Sequence, residues 1–362
     1  MKSCDSGSIP FTGNLRKYLD GAAGYGQVSN EATEFFEQNV ISVFTDKAEA
    51  GIEVPNYPQF RDMTEMFFDM MAGISKVNGG YVETTPLTIK NGMGAIPEVS
   101  AIKNLSNFIS EKLGASFNIR ICITGPYTLA SRFAYKDKGT FVRVGKVLAQ
   151  VVEANVFKNR HGAAQLVSID EPVFGLVDDP LLDYGAEGRE NLLKAWEILA
   201  QKIKAKGAQS VLHLHTTQDE LFWNVKTLDI IESHVDDSFY QAKSTRESLE
   251  ATDKFTKASI AITDFDQLIR NQIIADSRLK LSETSMNEKI AETWTGVNRG
   301  QIDANSFIED INLIKKRLAK ILELLGENRV PYAGPECGLG SFPTYESALE
   351  CLRRVAKTVK NS

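Results

Sequence analysis

Cysteine is scarce. There are four in 362 residues, Cys4, Cys122, Cys337 and Cys351, too few and too scattered for a disulfide framework, so a reducing, cytoplasmic setting is expected. No run approaches the ~18 consecutive apolar residues of a membrane span. Residues 1–20 lack the apolar segment of a secretory signal. Positive charge is not in excess: 41 Lys and Arg stand against 47 Asp and Glu, net −6, which argues against nucleic acid or an anionic membrane as the main partner. The basic run Lys315-Lys316-Arg317 reads as the solvated face of a helix whose other face carries Ile and Leu. No Gly-x-Gly-x-x-Gly follows the first expected strand, which weakens a dinucleotide-binding sheet, and no low-complexity linker divides the chain.

A regular alternation of elements remains. Short β-rich runs fall at Gly7–Phe11, Gly51–Pro55, Phe117–Ile123, Gln165–Ile169, Ser210–His215, within Val235–Gln241, at Ala258–Ile262 and at Val330–Ala333. Helical patterns separate most of them, notably Asn30–Ala50, Ile102–Leu113, Phe141–Phe157, Glu190–Lys206 and Ser341–Val355. Phe60, Met63, Phe67, Met70, Met71 and Ile74 recur at helical spacing and predict an amphipathic helix over Pro58–Ile74, followed by a hairpin or excursion over 78–98. Residues 265–329 read as largely helical. Their second half predicts the strongest helix, with Ser306 and Glu309 as a capping box and Gly326 as its stop. Eight strands alternating with helices in a chain of this length predict an α/β protein, a (β/α)8 TIM barrel formed as a single domain by residues 1–362, with a doubly wound sheet as the alternative.

The chemistry-bearing residues collect at the ends of the expected strands, and in a barrel those ends converge on one face. His213-Leu214-His215 puts two imidazoles on one side of a strand, a spacing that can hold one metal ion. Cys337, in the turn Pro335-Glu336-Cys337-Gly338-Leu339, supplies a thiolate of the kind soft metals prefer. Taken alone, each has a plain structural reading. Together they point to a His/His/Cys zinc site. Asp170-Glu171-Pro172 sets two carboxylates at another strand end, suited to a substrate ammonium or to proton transfer, or simply to capping a turn. Cys122 and Cys351 read as core and Cys4 as part of a loose end. His161 and His234 have no evident partners and read as surface residues.

Gly7-Ser8-Ile9-Pro10, Asp62-Met63 with Phe67, Thr124-Gly125-Pro126, Ile169-Asp170-Glu171-Pro172, His213-Leu214-His215 and Pro335-Glu336-Cys337-Gly338-Leu339 occur in the order seen in the catalytic barrel of the cobalamin-independent methionine synthases. The chain resembles the short, single-barrel form of that family, within the wider uroporphyrinogen decarboxylase and methionine synthase-like superfamily. The resemblance implies a zinc-dependent methyltransferase that moves a methyl group to a thiol, homocysteine giving methionine. The implied donor is a methylcorrinoid protein or 5-methyltetrahydrofolate. By position it makes His213 and Cys337 zinc ligands, and it assigns Ser8 and Asp170 to the amino-acid part of the substrate, with Asp170 and Glu171 as the catalytic carboxylates.

The chain departs from that pattern. His215 stands where the family has a cysteine. The family's ligand glutamate aligns with Gln241, with Asp237 as a substitute. The carboxylate expected near Asp62 for the substrate ammonium is replaced by Tyr57, with Glu53 nearby, and Arg132 occupies the place of a folate-stacking aromatic. These changes leave open a coenzyme M or uroporphyrinogen decarboxylase-like barrel acting on another substrate, a metal-dependent hydrolase, and a non-catalytic paralogue with an altered metal site.

Overall fold

The structure is a computed structural model that describes residues 1–277 and 281–362. Its strands are β1 (Lys2–Ser3), β2 (Met71–Val77), β3 (Gly80–Ile89), β4 (Phe117–Thr124), β5 (Gly162–Glu171), β6 (Gln209–Leu214), β7 (Ile230–Glu232), β8 (Phe255–Ala261) and β9 (Tyr332–Pro335). Seven of them form one parallel sheet in the order β1-β9-β8-β7-β6-β5-β4. Residues 54–56 bridge its two edges, because Cys4 pairs in parallel with Val54 and Asn56 with Arg120. The sheet thereby curls closed with residues 54–56 as its eighth stave, the (β/α)8 barrel that the alternation predicts.

Helices wrap the barrel because each presents an apolar stripe to it. Glu31–Glu49 opens on a capping box between Asn30 and Thr33 and buries Phe36, Val40, Val43 and Phe44. Tyr345–Lys360, capped by Thr344, buries Ala348, Cys351, Leu352 and Val355 against the sheet. Burying each such Leu or Val is worth about 1.5–3 kcal/mol. Among the described residues no helix is long and apolar enough to cross a membrane.

The barrel interior is layered. Cys4, Val54, Leu166, Val211, Ile230 and Tyr332 form an apolar floor near the strand N-termini. Above it lie Arg120, Glu232 and Lys257, all fully or almost fully buried. Ions in such a place must be paired. Glu232 accepts from Arg120 Nη1 at 3.0 Å and also from Arg120 Nη2, and Lys257 Nζ lies 3.4 Å away. The third layer opens on the C-terminal ends of the strands.

Several expectations change. The first strand is Lys2–Ser3 rather than Gly7–Phe11, and Cys4 is buried in the barrel floor rather than part of a loose end. The charges beside it are paired: the Lys47 ammonium, fully buried, donates to Asp5 Oδ2 and Gly7 O, each at 2.7 Å. The predicted helix over Pro58–Ile74 shrinks to Glu65–Phe68. Asp62 Oδ1 accepts from the Thr64 and Glu65 N–H groups to turn the chain, and Met71–Val77 pairs with Gly80–Ile89 as an antiparallel hairpin. The strand expected within Val235–Gln241 is β7, farther upstream, while Ser238–Tyr240 is a short 3-10 turn. The strong late helix runs Ile311–Leu325 with Asp310 as its cap. Glu309 instead accepts from Ile262 N–H and pairs with Arg317, which draws Arg317 off the solvated face. Residues 278–280 of the expected helical span lie outside the described residues.

Candidate metal centre

Strand register builds the site. In the parallel pairs β5–β6 and β6–β7, Asp170 is opposite His213 and His213 is opposite Glu232. Residues paired this way point to the same side, so three strands place a carboxylate, an imidazole and a carboxylate in a row facing the barrel axis. Two residues further on, His215 and His234 repeat the alternation at the strand ends, and Cys337 follows β9.

His213, His215, His234 and Cys337 each offer one ligand atom, and all four atoms lie within 4.8 Å of one another. Cys337 Sγ is 3.8 Å from His215 Nε2, and the His215 and His234 rings are 4.0 Å apart between centroids. Both ring nitrogens of His213 and Nε2 of His234 are buried with no hydrogen-bond partner. An unpartnered buried ring nitrogen is costly in a finished core, and three imidazoles with one thiolate are a donor set that zinc accepts. The residues therefore fit a metal ion.

The electrostatics agree. Burial alone would push the Cys337 thiol up, but the imidazoles of His213, His215 and His234 gathered around it outweigh that and hold the thiol well below the ordinary value of 9.0. Burial also opposes protonation of His213, yet Cys337 and Glu232 raise it to about 10. Burial keeps His215 below its ordinary value. Burial pushes Cys4 up to about 11 and Cys351 up to about 12, and carries Cys122 well above 9.0. Alkylation of the metal-free native protein by iodoacetamide is therefore expected at Cys337 alone. Its rate should fall less steeply as pH drops below 9 than that of an ordinary thiol, which loses about tenfold per pH unit below its pKa, because a thiol with a lowered pKa stays thiolate further down. Peptide mass mapping at falling pH checks this.

The loops that carry these ligands are tied together. Glu336, almost fully buried, accepts from Val235 N–H at 2.8 Å and from Thr263 N–H at 2.9 Å, joining the turns after β7, β8 and β9. Its Oε2 also lies 3.9 Å from His234 Nδ1. Ser8 packs on the residues after Cys337. Its carbonyl accepts from Leu339 N–H at 2.7 Å, and a Cβ at Gly338 would lie 1.9 Å from the Ser8 hydroxyl. Only glycine permits that approach, which accounts for the Cys-Gly step.

The other residues singled out in the sequence divide. Asp170 stays in the open layer beside His213; Ser168 Oγ donates to its Oδ1 at 2.6 Å, and burial pushes its carboxyl up. Glu171 points the opposite way and is fully buried. It accepts from Tyr127 N–H, Thr128 N–H, the Thr128 hydroxyl and the Trp196 indole, all within 2.8 Å. It caps the short helix Pro126–Ala130, and a Cβ at Gly125 would strike its carboxyl at 2.2 Å. Burial raises its carboxyl to about 7, against those four donors. That is a brace outside the barrel axis rather than a group facing substrate. Glu171→Gln should lower stability by about 1–3 kcal/mol, because an amide sets an N–H against a donor. Metal content should be unchanged. Thermal unfolding with metal analysis checks both.

Gln241 does not join the cluster: its exposed side chain donates to Asp236 O at 2.9 Å. Asp237 is consumed between Thr217, Ser233 and Phe239. Glu53 is exposed at the opposite end of the barrel, where it accepts from Ser3 N–H. Tyr57 is buried, and its hydroxyl donates to Cys122 O at 2.9 Å inside the wall. His234, expected at the surface, takes the place sought for Gln241, and Glu232 was missed with it. The signal was present: Glu232-Ser233-His234 has the same alternate-residue spacing as His213-Leu214-His215.

No protein-family model matches the chain. In sequence it is similar to the methionine synthase of Sulfurisphaera tokodaii, 29% identical over 156 residues, covering 41% of this chain and 45% of that protein. It is 26% identical to the Saccharolobus solfataricus methionine synthase over 196 residues, 52% of this chain and 55% of that one. These two matches span about half the length of the relatives. A longer match reaches the Sulfolobus acidocaldarius methionine synthase, 25% identical over 333 residues, 88% of this chain and 80% of that protein. The fold is similar to that of a B12-independent methionine synthase from Shewanella sp. W3-18-1 in complex with selenomethionine, with a TM-score of 0.60, 12% identity, and coverage of 99% of this chain and 98% of the other. A Listeria monocytogenes protein carrying the same family name gives a TM-score of 0.58 at 14% identity, covering 100% of this chain and 97% of that one. In sequence the chain is thus similar to methionine synthases, and in fold to B12-independent methionine synthases.

Proposed function

We propose that this chain is a zinc-dependent methyltransferase that transfers a methyl group to the sulfur of homocysteine, giving methionine, with a methylcorrinoid protein or 5-methyltetrahydrofolate as donor. The observation that carries the reading is the convergence of His213, His215, His234 and Cys337 at the barrel mouth, beside Asp170 and Ser8. Bound zinc would lower the pKa of the acceptor thiol while leaving its sulfur nucleophilic at neutral pH.

The protein's own groups supply the rest. His213, His215, His234 and Cys337 would hold the metal. Asp170, facing the same opening, would receive the substrate ammonium and set the sulfur toward the metal side of the mouth. Ser8, seated on the turn after Cys337, would contact the amino-acid portion. In the reaction the S–CH3 bond forms as the bond from methyl to cobalt or to folate N5 breaks; its electron pair stays with the donor, giving cobalt(I) or, with a proton taken up at N5, tetrahydrofolate, and the thiol proton leaves to solvent.

The test is methyl transfer by the zinc-loaded protein with methylcobalamin and with 5-methyltetrahydrofolate in separate arms, each offered homocysteine or coenzyme M. Methionine from either donor supports the reading. Methylation of coenzyme M alone, or of neither thiol, would contradict it, because a sulfonate acceptor has no ammonium for Asp170.

A further inference from the structure

Beneath the four ligand residues lies a charged cluster that has no part in the transfer as described above. Glu232 is in register with His213 on the neighbouring strand, and its Oε1 is 2.9 Å from His213 Nδ1 in a bent contact. The same carboxylate holds both terminal nitrogens of Arg120 and approaches Lys257. Arg120 Nη2 also donates to Ser168 Oγ at 2.8 Å, and Ser168 Oγ donates onward to Asp170 at 2.6 Å. Lys257 Nζ donates to Pro335 O at 2.5 Å, two residues before Cys337. One buried ionic group therefore touches the supports of His213, of Cys337 and of Asp170.

A core can be filled more cheaply with apolar side chains than with two cations and a carboxylate. What this arrangement provides is orientation. A carboxylate on one ring nitrogen of a ligand histidine fixes the tautomer and presents the other nitrogen to the metal; here both ring nitrogens of His213 are buried without a hydrogen-bond partner, Glu232 stands against Nδ1, and Nε2 is left for the ion.

We propose that Glu232, clamped by Arg120 and Lys257, is the positioning residue of the metal centre, holding His213 so that Nε2 faces the ion. This rests on the metal-site reading above. Arg120, through Ser168, gives the same clamp a hold on Asp170, so metal and substrate sides share one rigid base.

The experiment uses the full chain, with Zn(II) affinity measured by chelator competition and geometry by the visible spectrum of the Co(II)-loaded protein. Glu232→Gln is expected to weaken Zn(II) binding about 10–100-fold, the range seen when such supporting partners are removed, and to alter the Co(II) spectrum. Glu232→Gln alone leaves Arg120 and Lys257 unbalanced. The double variant Glu232→Gln with Lys257→Met restores the net charge of the cluster, folds without that repulsion, and should show the same loss. Gln241→Ala serves as a control and should match the unaltered chain. Affinity within about twofold of the unaltered chain in a folded variant would overturn the proposal. So would weaker binding with an unchanged Co(II) spectrum, since Glu232 would then support only the fold. If the unaltered chain itself binds no metal, the proposed function fails first, and that result is distinct from either of these.

Discussion

Cys337→Ala is expected to remove stoichiometric zinc and to reduce methyl transfer at least about 10²–10³-fold. The magnitude follows from sharing the ~10–16 kcal/mol of a four-ligand zinc site among its ligands, about 2.5–4 kcal/mol each. Cys337 should cost no less than an even share, because it is the one anionic donor among three imidazoles. The fold should tolerate the change. Cys337 lies in the turn after β9, and the turn is held by Glu336 and by the Ser8–Leu339 hydrogen bond rather than by the thiol. Metal analysis, circular dichroism and initial rates on one preparation separate loss of metal from loss of fold.

Asp170→Ala should act on the substrate instead. Truncating one partner of a buried charge pair costs about 2–5 kcal/mol, so kcat/KM for homocysteine is expected to fall on the order of 10²–10³-fold. Zinc content should be unchanged, because Asp170 lies outside the four-residue cluster. A thiol acceptor without an ammonium should lose far less. Steady-state rates with homocysteine and with 3-mercaptopropionate make the comparison. Equal losses for both thiols would mean that Asp170 supports the barrel through Ser168 and Arg120 rather than holding the amino group.

The contrast between Asp170 and Glu171 shows how far the sequence could be read. The Asp-Glu-Pro segment marks a strand end, and β5 does end there. Yet adjacent strand residues face opposite sides, so one carboxylate enters the barrel mouth and the other braces Trp196 and the Thr128 turn. The sequence does not say which until the register of β5 against β6 is known. His213, His215 and Cys337 were legible because imidazoles at alternate positions and a thiol in a glycine turn are uncommon in a plain core. His234 was not. Its strand, Ile230–Glu232, is only three residues long and lies upstream of the expected Val235–Gln241, where Ser238–Tyr240 is a short 3-10 turn.

The same limit explains the front of the chain. The helical spacing of Phe60 to Ile74 is real, but Met71 onward is claimed by pairing with Gly80–Ile89, and long-range pairing overrides a local period. Lys2–Ser3 carries no apolar pattern at all and is a strand only because β9 and residues 54–56 flank it. The count of eight staves was nonetheless recoverable, since the helices between them fix the alternation and a closed barrel needs each stave once.

X-ray absorption at the zinc edge of the loaded protein tests the four-residue centre most directly. The prediction is one zinc per chain with three nitrogen ligands at about 2.0–2.1 Å and one sulfur at about 2.3 Å. A zinc shell without sulfur, or no stoichiometric zinc when all four side chains are intact, would contradict it.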